Sequence, residues 1–186
     1  ALAEELCAQC AAEFSGKAVA YRCDVADFAA VKDLMAQIKK EFGTVDILVN
    51  AQGFNKKFPG TEFPVEIWDQ MFDANVKSVM LTCKHFGKYM KDNGIHGKII
   101  NLSSVRGIRA VGNGGNGNVG YCATKGAVEM LTKAYASDLR PNIQVNAIGP
   151  TITYTPMMVG ILLVFIGLFN TVINFLLAPR SKVPQA

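Results

Sequence analysis

Apolar and polar positions along the chain switch between a helical period and a strand period, and the switches mark out the elements. Residues 1–14 (ALAEELCAQCAAEF) read as a helix. Lys17–Cys23 alternates apolar and polar, which predicts a short strand, and Asp24-Val25 ends it. From Asp27 to Phe42 a helical stripe of Phe28, Val31, Met35 and Ile38, widened by Leu34 and Phe42, runs to a stop at Gly43. Val45–Val49 (VDILV) is a mostly apolar run of strand length and predicts a strand buried on both faces. Residues 51–65 read as a loop, Glu66–Asp92 as one long helix and Lys98–Leu102 as a third strand. A Gly/Asn-rich loop, Gly112–Gly120, precedes a helix over Tyr121–Leu139. Ile143–Ala147 is a fourth strand, closed by Gly149-Pro150.

Strands alternating with helices predict an α/β fold, a doubly wound parallel sheet with helices on both faces. Ligands of such sheets bind beyond the carboxyl ends of the strands. The positions to read for chemistry are therefore Asp24, Asn50–Gly53, Ser103-Ser104 and Pro150-Thr151. A length of 186 residues, half of them apolar, suits one domain with a real core. The net charge of +4 is scattered, and Lys39-Lys40 and Lys56-Lys57 are the only adjacent basic pairs. That is a solvated face rather than a nucleic-acid surface. The five cysteines, Cys7, Cys10, Cys23, Cys83 and Cys122, read as reduced cytosolic thiols. Cys7 and Cys10 form a CxxC without a second pair, and His85 and His96 lack ligand spacing, so no metal site is expected. The first residues carry neither an initiator Met nor the pattern of a secretory signal, and read as the middle of a longer protein.

Tyr121 and Lys125 are four residues apart and share a helix face. A phenol is a poor base at neutral pH, but a cation one turn away favours the phenolate and so lowers its pKa. Such a tyrosine can pass a proton to or from a carbinol oxygen. The spacing alone also fits an ordinary helix-surface pair. The hydroxyl pair Ser103-Ser104 could hydrogen-bond a reacting oxygen or could cap a turn. Asn75, in FDANVKSV, could equally be a solvent-facing helix residue.

The order of segments narrows this. CDVAD (23–27), ILVNAQG (47–53), FDANV (72–76), KIINLSS (98–104), YCATKGAV (121–128) and IQVNAIGP (143–150) follow one another over about 135 residues. In that order they resemble the motifs of the short-chain dehydrogenase/reductase family, most closely its gluconate and polyol dehydrogenases or 3-oxoacyl-carrier reductases. The resemblance implies a Rossmann-like fold and an NAD or NADP cofactor. It implies that Tyr121 is the general acid/base and that Lys125 lowers its pKa and bonds the nicotinamide ribose. Ser104 would orient the substrate carbonyl and Asn75 would hold a water in a proton relay. Asp24 and Val25 would contact adenine, Asn50, Ala51 and Gly53 the adenosine side, and Pro150-Thr151 the nicotinamide. The substrate would be a small alcohol or ketone, and helices 66–92 and 121–139 would form a homo-oligomer face.

Four departures stand beside the resemblance. The family opens with a strand and a Gly-rich turn that holds a pyrophosphate at a helix N-terminus, and no such run occurs here, so the first βαβ portion reads as missing and cofactor binding as weakened. Tyr121 follows Ser104 by 17 residues, a few more than usual, which a longer loop can absorb. Residues 50–53 read Asn-Ala-Gln-Gly where the family has Asn-Asn-Ala-Gly, and Thr151 stands where Gly is usual. Finally, 157–178 is an uncharged run of bilayer-spanning length. It divides the chain into a partial dinucleotide-binding domain (1–156) and an apolar helix with a basic tail (157–186). That helix reads as a membrane anchor, as an apolar lid or subunit contact, or as a mis-joined reading frame. Two functions follow: a cytoplasmic NAD(P)-dependent oxidoreductase of secondary alcohols and ketones, or an inactive dehydrogenase-like subunit tethered to a membrane through 157–178.

Overall fold

The computed structural model describes residues 2–14, 16–110 and 118–151. Residues 23–151 form one compact unit, and helix α1 (Leu2–Phe14) belongs to another. Helix α1 is built from Ala, Leu and Glu, all good helix formers, with Glu4 and Glu5 at its positive end. Residues 17–23 form no strand. Their alternation has the right period, but a strand exists only where a ladder of backbone bonds to a neighbour forms.

The unit 23–151 opens with helix α2 (Phe28–Phe42). Its N-cap Asp27 accepts the Ala30 N–H at 2.7 Å, a contact worth about 1 kcal/mol. Gly43 ends the helix at φ 79°, donating its N–H to the Lys39 carbonyl at 2.8 Å. Strand β1 (Ile47–Asn50) follows, then helices α3 (Val65–Phe72) and α4 (Ser78–Asp92), strand β2 (Lys98–Leu102), helix α5 (Val119–Asp138) and strand β3 (Gln144–Ile148). The single helix predicted over 66–92 is interrupted by a π turn, Asp73–Lys77, in which the Ser78 N–H reaches back to the Asp73 carbonyl. Helix α5 starts at Val119, taking in two residues predicted as loop.

The sheet is parallel, in the order β1-β2-β3. Its register places Leu48, Ile99 and Val145 in one row and Asn50, Asn101 and Ala147 in the next on the same face. That face carries the core. Ile99 and Val145 pack with Val79, Cys83 and Met90 of α4 and Val128 of α5. Val31, Met35 and Ile38 of α2 meet Leu81 and Phe86 of α4 beside Leu48. Each fully buried apolar side chain here contributes on the order of 1.5–3 kcal/mol. On the opposite face Val49, Lys98, Gln144, Asn146 and Ile148 are exposed and Ile47, Ile100 and Leu102 are half-buried. The expectation of a VDILV strand buried on both faces is corrected, since Val49 is exposed; α2, α4 and α5 lie on one side of the sheet within this unit. No helix among the described residues is long and apolar enough to cross a membrane. The run 157–178, the boundary at 156/157 and most of the Gly/Asn-rich stretch lie outside the described residues.

Candidate active site

The carboxyl ends of β2 and β3 are stitched together before any candidate side chain is placed. The Ser103 N–H donates to the Ile148 carbonyl at 2.8 Å and the Val105 N–H to the Pro150 carbonyl at 3.1 Å. Ser104 caps the short 3-10 turn Val105–Gly107, its hydroxyl accepting the Arg106 N–H at 3.2 Å. Ser103 donates instead to the Lys125 carbonyl at 3.2 Å. A Cβ on Gly107 would lie 2.8 Å from that same carbonyl, so glycine lets the turn pack directly on the α5 backbone. The two serines thus divide their work: Ser103 ties the loop to α5, and Ser104 acts on the Tyr121 phenol, easing its ionisation.

Tyr121 is half-buried in the first turn of α5, and Lys125 is 5% exposed one turn later. The Lys125 Nζ lies 5.7 Å from the centre of the Tyr121 ring and donates to the Leu102 carbonyl at 2.7 Å. Burial lowers the Lys125 pKa to about 8. Burial also raises the Tyr121 phenol above its ordinary value, against the Ser104 hydrogen bond, with Cys122 adding to the rise. A neighbouring cation on its own would lower the phenol. The geometry reverses the sign, because both groups are desolvated and the ammonium gives up its proton before the phenol ionises.

Asn75 lies in the π turn with no exposed surface. Its Oδ1 accepts the Phe54 N–H at 2.9 Å, and its Nδ2 donates to the Phe54 carbonyl at 2.9 Å and to Thr124 Oγ1 at 3.1 Å. Thr124 donates in turn to the Tyr121 carbonyl at 2.9 Å. Asn75 therefore locks the loop after β1 to the turn of α5 that carries Tyr121 and Lys125. Gly53 makes this approach feasible: it sits at φ 140°, and a Cβ there would lie 2.7 Å from Asn75 Oδ1. Asn75 is not the solvent-facing residue of the plain helix reading.

Beside this cluster an open cleft of about 390 Å³ lies between the 24–26 turn, Gln52–Phe54, and Gln70, Asp73 and Ala74 of α3 and the π turn. Asp24 shapes its own turn, with Oδ1 accepting the Ala26 N–H at 2.9 Å. Of the residues expected on the cofactor side, Asp24, Val25 and Gly53 line this cleft. Ala51 and Thr151 are exposed and Pro150 is half-buried, and none of the three lines it. The Asn50 side chain turns inward. It donates to Asn101 Oδ1 at 2.8 Å and lies 2.8 Å from Thr82 Oγ1, while Asn101 donates to Thr132 Oγ1 at 3.0 Å.

A family model described as short chain dehydrogenase matches residues 1–162. The chain belongs to the short chain dehydrogenase family. It is 37% identical to L-xylulose reductase of Mus musculus over 135 residues, 72% of this chain and 52% of that protein. Its fold is similar to NAD+-bound xylitol dehydrogenase (TM-score 0.74, 30% identity, 80% of this chain and 56% of that one). It is similar also to gluconate 5-dehydrogenase from Burkholderia cenocepacia in complex with NADP and tartrate (TM-score 0.68, 33% identity, 74% and 52%). The chain spans about half the length of the curated relatives it matches.

Within the unit 23–151 the structure gathers Asn75, Ser104, Tyr121 and Lys125 into one connected group and leaves Asp24, Val25 and Gly53 in a separate cleft. Sequence reasoning missed Thr124, which links Asn75 to Tyr121, and the Asn101–Thr132 pair that supports β2. Thr124 carried one signal: it lies within the Tyr121–Lys125 turn. Asn101 faces the helices as Ile99 does, so its place in an apolar strand marked it as a buried polar residue needing a partner. Among the described residues no group of three or more His, Cys, Asp or Glu could hold a metal ion.

Proposed function

We propose that this chain carries the catalytic half of an NAD(P)-dependent oxidoreductase that interconverts a secondary alcohol and a ketone, with a sugar acid or polyol as the substrate class. The observation that carries the reading is the connected group Ser104–Tyr121–Lys125–Asn75 at the strand ends. The relatives named for xylulose, xylitol and gluconate chemistry support the substrate class.

The residues present fit the adenosine side of a nicotinamide dinucleotide, since the cleft ends in the Asp24 turn and in Gly53, where a Cβ would meet Asn75. Asp24, Val25 and Gly53 would hold that half by side chain and backbone, and Lys125, with Pro150 and Thr151, would hold the nicotinamide half. When bound, the nicotinamide supplies or accepts the hydride. The chain's own residues manage the proton. Ser104 and the Tyr121 phenol converge on one oxygen of the substrate, and the phenol, kept protonated by burial, donates to that oxygen as negative charge grows on it. Lys125 places a cation beside the phenol below about pH 8 and favours the transient phenolate. Asn75 spends its side chain on Phe54 and Thr124, so any water it holds for a relay to Lys125 would rest on its main-chain carbonyl.

We propose in addition that copies pair through helices 66–92 and 121–139, where Met130 stands 63% exposed, and that the protein works in the cytoplasm. The alternative is an inactive dehydrogenase-like subunit. Turnover separates the two. Oxidation of NADH or NADPH by the chain with a panel of ketoses and keto-acids is expected. Cofactor-free dimers with no turnover on any member of the panel would favour the alternative.

A further inference from the structure

The cleft at the 24–26 turn holds a side chain that departs from the family's pattern at position 52, and the structure fixes how that side chain is presented. Gln52 lines the cleft, and its Nε2 lies 3.0 Å from Ser78 Oγ. Ser78 is fully buried and already donates its only hydroxyl proton to the Ala74 carbonyl at 2.6 Å. Toward Gln52 it can therefore only accept. The Gln52 amide is thereby held with its N–H pointing inward and its carbonyl oxygen free to meet a ligand. Across the same cleft Asp24 commits one carboxylate oxygen to Ala26. Among the described residues neither Gln52 Oε1 nor the second Asp24 oxygen has a partner.

The cleft thus offers hydrogen-bond acceptors from Asp24 and Gln52, further polar groups from Gln70 and Asp73, apolar walls from Val25, Ala26 and Phe54, and no Lys or Arg among its lining residues. A phosphate or carboxylate is unwelcome there. A flat heterocycle carrying an exocyclic amine matches that lining, with apolar walls for its faces and acceptors for its N–H donors. A purine with an oxygen in place of that amine sets acceptor against acceptor. We propose that Gln52 is a specificity-determining residue that, with Asp24, selects the amino edge of adenine. This rests on the dinucleotide reading above and names the residue that reads the base.

The test is a titration of the full chain with adenosine, inosine and purine riboside, followed by NMR chemical shifts or calorimetry, for the wild type and for Gln52→Ala. Alanine is the family's usual residue at this position, and a matching thermal melt checks that the variant folds. Wild type is expected to bind adenosine about tenfold more tightly than either analogue, the scale of one to two hydrogen bonds. Gln52→Ala is expected to narrow that gap to about twofold by weakening adenosine alone. Equal binding of the three nucleosides by the wild type, or a gap unchanged in Gln52→Ala, would overturn the role of Gln52 and leave the cofactor reading in place. No binding of any nucleoside would overturn both. If Gln52→Ala does not fold, the three-nucleoside comparison on the wild type still decides whether the cleft reads an amine.

Discussion

Two buried polar clusters sit one layer apart on the same face of the sheet, and they behave in opposite ways. In the lower one, Asn50, Asn101, Thr82 and Thr132 bond to one another and to the Cys83 thiol between β1, β2, α4 and α5, and burial keeps that thiol, the one titratable member, protonated. In the upper one, Ser104, Tyr121 and Lys125 combine ionisable groups with burial, and both pKa values move: the lysine down to about 8 and the phenol up. The difference teaches what separates a structural polar group from a working one. A cluster whose donors and acceptors are matched within the protein holds the fold in register. A cluster that keeps desolvated titratable groups with spare hydrogen-bonding capacity can move protons.

Breaking the upper cluster should cost the most. Lys125→Met in the chain is expected to lower turnover about 10²-fold or more while the far-ultraviolet circular dichroism stays native, because the cation beside the phenol is lost and the fold is not. A variant within about twofold of wild type would place Lys125 outside the chemistry. The lower cluster should answer in stability instead. Asn101→Ala strands Asn50 and Thr132 in the core and is expected to cost about 1–3 kcal/mol in a denaturant melt. An unchanged midpoint would mean that water or repacking satisfies both partners.

How much of this was legible follows the same division. The apolar stripe of α2, the strand at KIINL and the Tyr121–Lys125 turn all came from periodicity and spacing, because each is a local property of consecutive residues. The inward turn of Asn50, the lock that Asn75 makes on Phe54, and the Ser103/Ser104 division depend on partners 20 to 50 residues away in the chain, which spacing does not encode. The same limit explains the strand expected at 17–23, whose period was right and where no backbone ladder forms. The sign of the Tyr121 shift was misread for a physical reason: proximity of a cation was visible in the sequence, but the depth of burial that outweighs it was not.

The pH dependence sharpens the comparison further. Lys125 keeps its cation only below about pH 8, so kcat/KM for ketone reduction is expected to fall as pH rises through that value. A profile that stays flat until the phenol itself ionises would remove Lys125 from the proton step. The smallest effect lies in the core. Burial pushes the Cys83 thiol up to about 12, so the folded state holds its proton where the unfolded chain, near 9, has released it. Cys83 therefore contributes stability that is complete below pH 9 and is lost as pH rises toward 12. Cys83→Ala is expected to make alkaline melts less steep with pH in that window, and an identical slope would contradict it.

The most direct measurement is steady-state turnover of NADH or NADPH with a ketose by the wild-type chain and by Tyr121→Phe, which keeps the ring and removes the proton. The account predicts a loss of about 10²–10⁴-fold with the melt unchanged. Equal turnover by the two proteins would contradict it and take the phenol out of the reaction.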